Sequence, residues 1–288
     1  MKKSKLTFWL FVIPLLIPFL MVVIWPAING IYYSLTDWNG IGKDATFIGL
    51  DNYVKVLTND AGFFSAFRFT TIFAVVCIAI INVMGFCLAL LVTQKLKGVT
   101  FMRGAFFVPN LIGGVLLGFI WQFIFVQGFE AIGKFTGIEG LSGWLSDTKT
   151  ASIGLVIVVV WQLSGYMMLI YVAQLQNIPQ SLIEAAQIDG ASALRRLISI
   201  TLPLMRPAFT IGIFLTLSHT FKLYDQNLTL TDGDPYGSTE MVALNIYNTA
   251  FDFDRFGEAQ AKAVIFLIVV IIISSVQLYL GKRKEIEM

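Results

Sequence analysis

The sequence predicts an all-α polytopic membrane protein with about six transmembrane helices, and three observations lead to this class. Of the 288 residues, 57% are hydrophobic and 13% are charged, and the mean hydropathy is +0.77; soluble domains average about 25% charged residues. Several apolar runs are long enough to cross a bilayer. Lys and Arg concentrate in alternate connecting segments, which is the pattern of cytoplasmic loops.

The apolar runs define the predicted spans. The first follows MKKSK, and we interpret it as a retained helix because it is long for a signal peptide and no Ala-x-Ala pattern closes it. The connection between residues 37 and 66 is too polar to span, and FIGLDNYVKVL within it predicts a short amphipathic helix at the outer surface. Polar residues from Ser218 to Asp225 interrupt the fifth run, which can therefore be shorter or partly unwound. The predicted spans lie near Phe8–Tyr33, Phe67–Thr93, Ala105–Gln127, Ser152–Leu175, Ala208–Leu228 and Lys262–Leu280.

The charge of the connecting segments predicts their side of the membrane. One alternating set comprises the two termini, the loop between the second and third spans and the loop between the fourth and fifth. It carries 12 of the 20 Lys and Arg residues and 4 of the 18 acidic residues, a net charge of +8, which leaves −6 for the rest of the chain. Because basic residues favour the cytoplasmic side, we expect both termini in the cytoplasm. An even number of spans agrees with this placement.

The segment from about residue 179 to 206 is a polar, Ala-rich loop on this cytoplasmic side. Pro179 suits the first turn of a helix that continues through SLIEAAQID. Gly190 suits a left-handed helix cap, and ASALRRLISITL predicts a second short helix. Two such helices form a cytoplasmic knob. From the residue spacing alone, a solvated loop or an amphipathic helix on the inner headgroups explains the segment equally well. The residues predicted to form its contact surface are Glu184, Ala185, Ala186, Asp189, Gly190 and Ala191.

The same segment carries a resemblance to a known family. Glu184-Ala185-Ala186, Gly190 and then Ile200, Leu202 and Pro203 appear in the order and register of the EAA signature of ABC importer permeases. LFVIPLLIPFLMVVIWPAINGIYYSLTDW, WQLSGYMMLIYVAQLQNIPQSLIEAAQIDGAS and FKLYDQNLTLTDGDPYGSTEMVALNIYNTAF resemble the sugar-importer branch, the MalF-like or UgpA-like permeases. One departure is TDGDP, which is more acidic than the Gly-rich turn usual in that branch.

The resemblance implies a type I ABC importer permease of the bacterial cell membrane. Residues 1–288 would form one transmembrane permease domain, with a core at about 67–282 and the coupling loop at about 179–206. The chain would be half of a translocation pore, paired with a second permease subunit as a heterodimer or homodimer. Its other partners would be two ATP-binding cassette subunits, an extracytoplasmic sugar-binding protein and membrane lipid, with no nucleic acid.

ATP hydrolysis is expected in a partner rather than in this chain. No G-x-x-x-x-G-K-[ST] phosphate-binding sequence occurs, so we expect a translocation subunit that is not an enzyme and binds no cofactor of its own, with ATP and Mg²⁺ held by the ATPase. A metal-dependent enzyme is disfavoured because the chain has a single His and two Cys in one apolar run.

Polar residues inside the spans are the candidates for the substrate path, since such residues are costly in lipid and usually face the bundle interior. Trp161 can instead be a packing aromatic, and Gly165 allows a close helix approach or a local break. Asn82 and Gln122 can instead form interhelical hydrogen bonds, and Lys222 and Asp225 can form a charge pair at the mouth. The predicted substrate-path residues are Gln162, Ser164, Tyr166, Ser218, Lys222, Asp225, Asn82 and Gln122.

Two other transport functions stay open from the sequence. One is the same kind of permease with a non-sugar cargo, such as glycerophosphodiesters or a peptide. The other is an ion-coupled secondary carrier, which is less favoured because such carriers usually show internal repeats and acidic residues deep in their spans. Here no internal repeat is evident and the acidic residues avoid the span centres, Asp225 near the outer end being the nearest exception.

Overall fold

Long apolar helices dominate the fold, and the predicted all-α membrane architecture is confirmed. The computed structural model describes residues 2–42, 45–94 and 96–283, and the side chains from Phe8 onward. Lys95, Lys284, Glu285 and Glu287, which entered the charge count, lie outside these residues. We number the membrane-spanning helices 1 to 6 in chain order: Phe8–Tyr33, Ala61–Val92, Gly114–Thr136, Thr148–Asn177, the bent pair Ala193–Leu204 and Arg206–Phe221, and Phe256–Lys282.

Shorter helices connect and modify the spans. The helix Asp51–Asn59 confirms the amphipathic helix predicted in the connection between the first two spans. Single π-helical turns interrupt spans 1, 3 and 5 at Leu20–Ile24, Ile124–Gly128 and Leu197–Thr201. The remaining helices among the described residues are Val99–Leu111, Glu139–Leu141, Gln180–Ile188, Asp225–Leu230 and Val242–Phe251.

The third span differs from its prediction near Ala105–Gln127. The run is divided between the helix Val99–Leu111 and a span that begins at Gly114 and continues to Thr136. At the break, Ile112 and Gly113 have extended backbones, with ψ of 128° and 142°. Consecutive glycines favour such a break because glycine gains little from the helical conformation. Hydropathy could not locate it, since both helices are apolar.

The fifth span is interrupted, as its polar residues predicted, but it does not reach Leu228. The helix Arg206–Phe221 ends at Lys222, and a new short helix starts at Asp225. On the other side, the axes of Ala193–Leu204 and Arg206–Phe221 differ by 66°. Pro203 and Pro207 flank this bend, in agreement with the expected turn back into the membrane, because neither proline can donate a backbone hydrogen bond.

The described residues divide into two compact units. One comprises the described chain up to Phe63 together with Asn245–Ile268, and the other comprises Phe64–Leu244 and the described chain from Val269. In the second unit, span 4 supplies much of the core, including the fully buried Leu155 and Met168. Of the two alternatives for Gly165, the structure has the close helix approach, because a Cβ there would collide with the carbonyl group of Phe106 in the helix Val99–Leu111.

The first unit contains a buried ammonium group with several hydrogen-bond partners. Lys262 Nζ lies 2.7 Å from Asp60 Oδ2 and donates to Asn245 Oδ1 at 3.0 Å and Thr249 Oγ1 at 2.8 Å. Burial acts to raise the pKa of Asp60, but hydrogen bonds from Lys262 and from the backbone N–H of Phe63 outweigh it and hold this pKa below its ordinary value. Lys262 is therefore a satisfied buried charge with a structural role.

Candidate substrate cavity and coupling segment

A cavity of about 450 Å³ lies between span 4 and the C-terminal end of span 5. This volume is within the range of small-molecule sites. The break after span 5 supplies much of the polar lining, because it turns residues of the loop and of the next short helix toward span 4. The polar and charged residues that line the cavity are Asn110, Gln162, Tyr166, Thr216, Ser218, His219, Lys222, Tyr224, Asp225 and Gln226.

A pair of glutamines ties the cavity walls together. Gln226 Nε2 donates to Gln162 Oε1 at 2.7 Å, and Gln162 Nε2 donates to the carbonyl oxygen of Ile112 at 3.3 Å. Both glutamines are buried, with relative exposures of 5% for Gln162 and 3% for Gln226. Gln162 thus connects the helix break before span 3 to the helix that follows span 5. The pair fixes the amide orientation on one wall of the cavity.

Gly114 brings the start of span 3 close to the cavity. A Cβ at this position would lie 2.7 Å from Asp225 Cβ and 2.9 Å from its Oδ2. Any larger residue would therefore push into the cavity or displace the Asp225 side chain. The helix break at Ile112–Gly113 and the glycine after it together determine the space available at this wall.

The lining offers the groups that a polyhydroxylated ligand needs. Amide, hydroxyl and carboxylate groups can accept or donate hydrogen bonds to hydroxyls, and the ring faces of Tyr166 and Tyr224 can pack against the apolar face of a sugar ring. Lys222 and Asp225 carry opposite charges. The cavity thus combines formally balanced lysine and aspartate charges with many hydrogen-bonding groups.

Five of the eight predicted substrate-path residues line the cavity, and three do not. Ser164 is buried in span 4, where its hydroxyl donates to the carbonyl oxygen of Val160 at 2.6 Å. Gln122 lies against the helix after span 5 and donates to the carbonyl oxygen of Leu230 at 3.4 Å. Ser164 thus makes its hydrogen bond within span 4, and Gln122 makes its hydrogen bond between helices. The five that line the cavity are Gln162, Tyr166, Ser218, Lys222 and Asp225.

Asn82 is the third predicted residue outside the cavity, and it lies behind the wall. Its Nδ2 donates to Thr216 Oγ1 at 3.1 Å and to the carbonyl oxygen of Ile78 at 2.7 Å, and its Oδ1 accepts from the hydroxyl of Tyr171. Thr216 itself lines the cavity. The interhelical hydrogen bonding considered for Asn82 is thus the arrangement found. Spans 2, 4 and 5 are joined through it.

Sequence reasoning missed several cavity residues and left the role of Trp161 open. Gln226, Tyr224 and Gly114 were not recognised, since their positions depend on breaks next to spans 3 and 5. The run of polar residues after Phe221 was the available signal. Trp161 is 43% exposed and packs edge-to-face against Trp121, with ring centroids 5.5 Å apart. It is a packing aromatic, the alternative that the sequence left open.

The predicted coupling segment forms the two short helices expected of it. The first is Gln180–Ile188, with Pro179 at its N-cap. Gly190 follows the C-cap residue Asp189 and has a φ of +74°. Gly190 N–H donates to the carbonyl of Gln187 and Ala191 N–H to that of Ala186, the two bonds of a Schellman cap. A left-handed backbone strains any residue with a Cβ, so the local geometry requires glycine.

The segment presents small, acidic and apolar groups at its surface. Glu184, Ala185 and Asp189 are exposed, and Ala186 and Ala191 are half-buried. Ile188, which sequence reasoning passed over, has a relative exposure of 87% at the end of the first helix. Leu182 and Leu194 are also exposed, at 46% and 65%. Several exposed apolar side chains next to alanines and two carboxylates suit a contact with another protein.

The second part of the segment is Ala193–Leu204, the first arm of the bent pair numbered as span 5, and it leads into the second arm, Arg206–Phe221. Ser192 caps the helix that starts at Ala193 by accepting from the backbone N–H of Arg195. Arg196 donates to the carbonyl oxygen of Ala191 at 2.7 Å, which ties the two helices of the segment together. Span 4 precedes the segment and the helix Arg206–Phe221 follows it, and both line the cavity.

Comparison with known proteins decides the family. The family described as "Binding-protein-dependent transport system inner membrane component" matches residues 97–286, which include the coupling segment and most of the cavity lining. The chain belongs to this family. The recognition of an importer permease in the sequence is thereby confirmed.

Several relatives of this permease are similar over nearly their whole length. The probable starch degradation products transport system permease protein AmyD of Thermoanaerobacterium thermosulfurigenes is 51% identical, over 99% of this chain and 97% of the relative. The multiple sugar-binding transport system permease protein MsmF of Streptococcus mutans is 33% identical, over 96% of both chains. The predicted placement in the sugar branch of these permeases is confirmed by such relatives.

A solved structure supports the fold independently of sequence. A bacterial alginate ABC transporter, crystallised in complex with an alginate pentasaccharide-bound periplasmic protein, matches with a TM-score of 0.84 at 19% identity. The match covers 98% of this chain and 96% of the other. At this identity the likeness establishes the fold of the permease, which is that of ABC importer membrane subunits.

Proposed function

We propose that this permease carries an oligosaccharide across the membrane through the cavity between spans 4 and 5, driven by ATP that a partner subunit hydrolyses. The observation that carries the proposal is the connection between cavity and coupling segment. The segment joins the two helices that contribute Gln162, Tyr166 and Ser218 to the cavity. A displacement of the segment by a partner would therefore move both walls.

The cargo follows from the lining of the cavity and from the relatives. Amides, hydroxyls and two tyrosine rings suit a neutral sugar, and the two relatives are named for starch degradation products and for multiple sugars. An oligosaccharide of glucose is therefore the cargo we propose first. A glycerophosphodiester would bring a negative phosphate charge, for which the lining offers no net positive charge because Asp225 offsets Lys222.

The remaining subunits are proposed from the family and from the exposed surfaces. Ile188 and Glu184 would contact an ATP-binding cassette subunit, which holds ATP and Mg²⁺, while this chain acts as a translocation subunit without a cofactor. A second permease, identical or related, would complete the pore. The alginate transporter complex with its periplasmic protein supports an extracytoplasmic binding protein as a further partner.

The topology is part of the same proposal. We place both termini and the coupling segment in the cytoplasm of a bacterial cell, because the positive charges concentrate in those segments. Residues 1–288 would act as one permease domain, with the core at about 67–282 and the coupling loop at about 179–206. Its working surfaces would then lie on opposite sides of the bilayer.

Substitution of the cavity wall tests the cargo site. The Gln162→Ala and Tyr166→Ala variants should each lower uptake of a labelled malto-oligosaccharide by roughly tenfold, the loss that about 1.4 kcal/mol of binding predicts. Ser164→Ala is the matched control, because Ser164 lies in the same helix and hydrogen-bonds within it. Uptake in cells and the amount of assembled complex are measured together. Wild-type uptake by both cavity variants would remove span 4 from the substrate path.

Substitution of the helix cap tests coupling separately. In Gly190→Trp, the left-handed backbone is strained and the surface of the segment is blocked. We expect uptake to fall while cargo still protects the cavity, and ATPase activity of the complex to lose its dependence on cargo. Leu182→Trp, a substitution of an exposed residue in the same helix, separates blockage from cap strain. A Gly190→Trp complex with normal coupled uptake would contradict the docking role.

A further inference from the structure

We propose that a groove between spans 5 and 6 binds an anionic phospholipid, with an acyl chain in the groove and the headgroup phosphate at its basic end. The groove has a volume of about 620 Å³ and lies between the helix Arg206–Phe221 and the C-terminal part of span 6. The groove and the cargo cavity have no lining residue in common.

Most of the groove is apolar. Phe209 and Ile213 line it from span 5, and Ile272, Ile273 and Val276 line it from span 6. Arg206 and Ile213 are seven residues apart, so the lined stretch of span 5 is about 10 Å long at 1.5 Å per residue. This length accommodates part of an acyl chain running parallel to the helices.

One end of the groove is basic. Arg206 and Gly281 both line it, at the start of one helix and close to the end of the other. Lys282 and Arg283 follow Gly281 directly and are exposed. Three cations thus lie at the end of both spans, where the headgroups of a bilayer are located. Basic pockets between transmembrane helices are the sites that anionic headgroups occupy.

A polar group within the groove points to the same kind of ligand. Gln277 lines the groove, and its Nε2 donates to the carbonyl oxygen of Thr210 at 3.1 Å. Its Oε1 is buried and accepts no hydrogen bond from any residue in the described part of the chain. Buried acceptors are rarely left unpaired in folded proteins. Gln277 is one helical turn before Gly281, so a headgroup hydroxyl, such as those of phosphatidylglycerol, can donate to its Oε1 when the phosphate lies at the basic end.

The order of groups along the groove favours a lipid over a protein segment. Arg206 lies at one end of the groove with the polar residues Thr210 and Gln277, and the remaining lining side chains are aliphatic or aromatic. Phosphatidylglycerol has a complementary arrangement, with an anionic phosphate and headgroup hydroxyls at one end and acyl chains at the other. The proposal uses only the membrane placement of spans 5 and 6; the cytoplasmic leaflet as the source of the lipid rests on the proposed topology.

Photolabelling of the intact transporter tests the site. The complex is purified through a tag on this chain and placed in phosphatidylcholine vesicles that carry either phosphatidylglycerol or phosphatidylcholine with a photoactivatable acyl chain. We expect the phosphatidylglycerol probe to label the peptides that contain Phe209 and Val276, in preference to the phosphatidylcholine probe. Replacing Arg206, Lys282 and Arg283 by Gln should lower the labelling by about fivefold for each cation removed.

Two further variants keep the test decisive if the triple replacement fails to assemble. Val276→Trp fills the groove without a change of charge, at a residue that is already half exposed, and should block the labelling. Arg195→Gln removes an exposed cation of the coupling segment outside the groove and should leave it unchanged. Equal labelling by both probes, or photocrosslinks from the groove to another polypeptide in place of lipid, would overturn the proposal. Failure of uptake in the cavity variants would leave this result unaffected.

Discussion

Span 5 borders two concave surfaces of opposite chemistry. Toward its C-terminal end, Ser218 and His219 face a cavity of about 450 Å³ with amides, tyrosines and one charge of each sign. Toward its other end, Phe209 and Ile213 face a groove of about 620 Å³ in which the polar groups are confined to Arg206, Thr210 and Gln277. Under the two proposals one helix would border both a water-soluble cargo and a lipid, and the spacing of polar residues along it separates the two surfaces.

Two lysines in or next to the spans, Lys262 and Lys222, are accommodated in different ways. Around Lys262 the buried charge has three acceptors, so its hydrogen-bonding capacity is used within the protein. In the cavity, Lys222 is exposed to the open space. A group held for structure should affect stability when removed, whereas a group held for cargo should affect transport.

The largest expected effect is on stability, in Lys262→Met. Removing the ammonium leaves the carboxylate of Asp60 without its ion-pair partner, and a broken buried pair costs about 3 kcal/mol or more of unfolding free energy. Lys222→Met, the matched change at an exposed lysine, should stay within about 0.5 kcal/mol and lower uptake instead. Thermal unfolding of the solubilised chain compares the two. Equal destabilisation would remove the distinction between structural and cargo-facing charges.

The ion pair of Asp60 and Lys262 makes the free energy of unfolding depend on pH, with a sign that can be stated. The pKa of Asp60 is lower in the folded protein than its ordinary value. The stability that this carboxylate contributes is therefore present above its unfolded-state pKa and is lost as the pH falls through the lowered folded value. Lys262→Met removes the main partner of the Asp60 carboxylate. We therefore expect the variant to lose less unfolding free energy on acidification than the unsubstituted protein.

A second, smaller effect is expected on transport from Gly114. In Gly114→Val the new side chain enters the cavity against Asp225, and uptake should fall by roughly tenfold, equivalent to about 1.4 kcal/mol. Gly104→Val is the control, because a Cβ at Gly104 meets nothing within 4 Å among the described residues. Uptake of labelled malto-oligosaccharide measures both. A normal rate in Gly114→Val would show that this wall does not border the cargo.

The coupling segment was the part of the molecule most fully predictable from sequence. Its helix start at Pro179 and its cap at Gly190 depend on local backbone preferences, and both are found. The exposed positions of Glu184, Ala185 and Asp189 were predicted from the same local pattern. Ile188 was overlooked because nothing in the sequence tells an exposed isoleucine from a buried one in so apolar a chain.

The cavity was predictable only in part, because it depends on breaks and on contacts between distant helices. Ser218, Lys222 and Asp225 were found as polar residues inside an apolar run. Gln226 acquires its position from the interruption before Asp225 and from its bond to Gln162, which is 64 residues away in sequence. Ser164 has the same polarity pattern as the true lining residues, yet its hydroxyl is used within span 4.

Cysteine protection at the two surfaces of span 5 tests the account most directly. Ser218→Cys and Ile213→Cys are introduced separately after Cys77 and Cys87 are replaced by alanine, and the assembled transporter is treated with a maleimide with and without malto-oligosaccharide. We predict that the cargo slows labelling at position 218 and leaves labelling at position 213 unchanged. If position 218 reacts at the same rate with and without cargo in a complex that transports it, the cavity between spans 4 and 5 is not the cargo site.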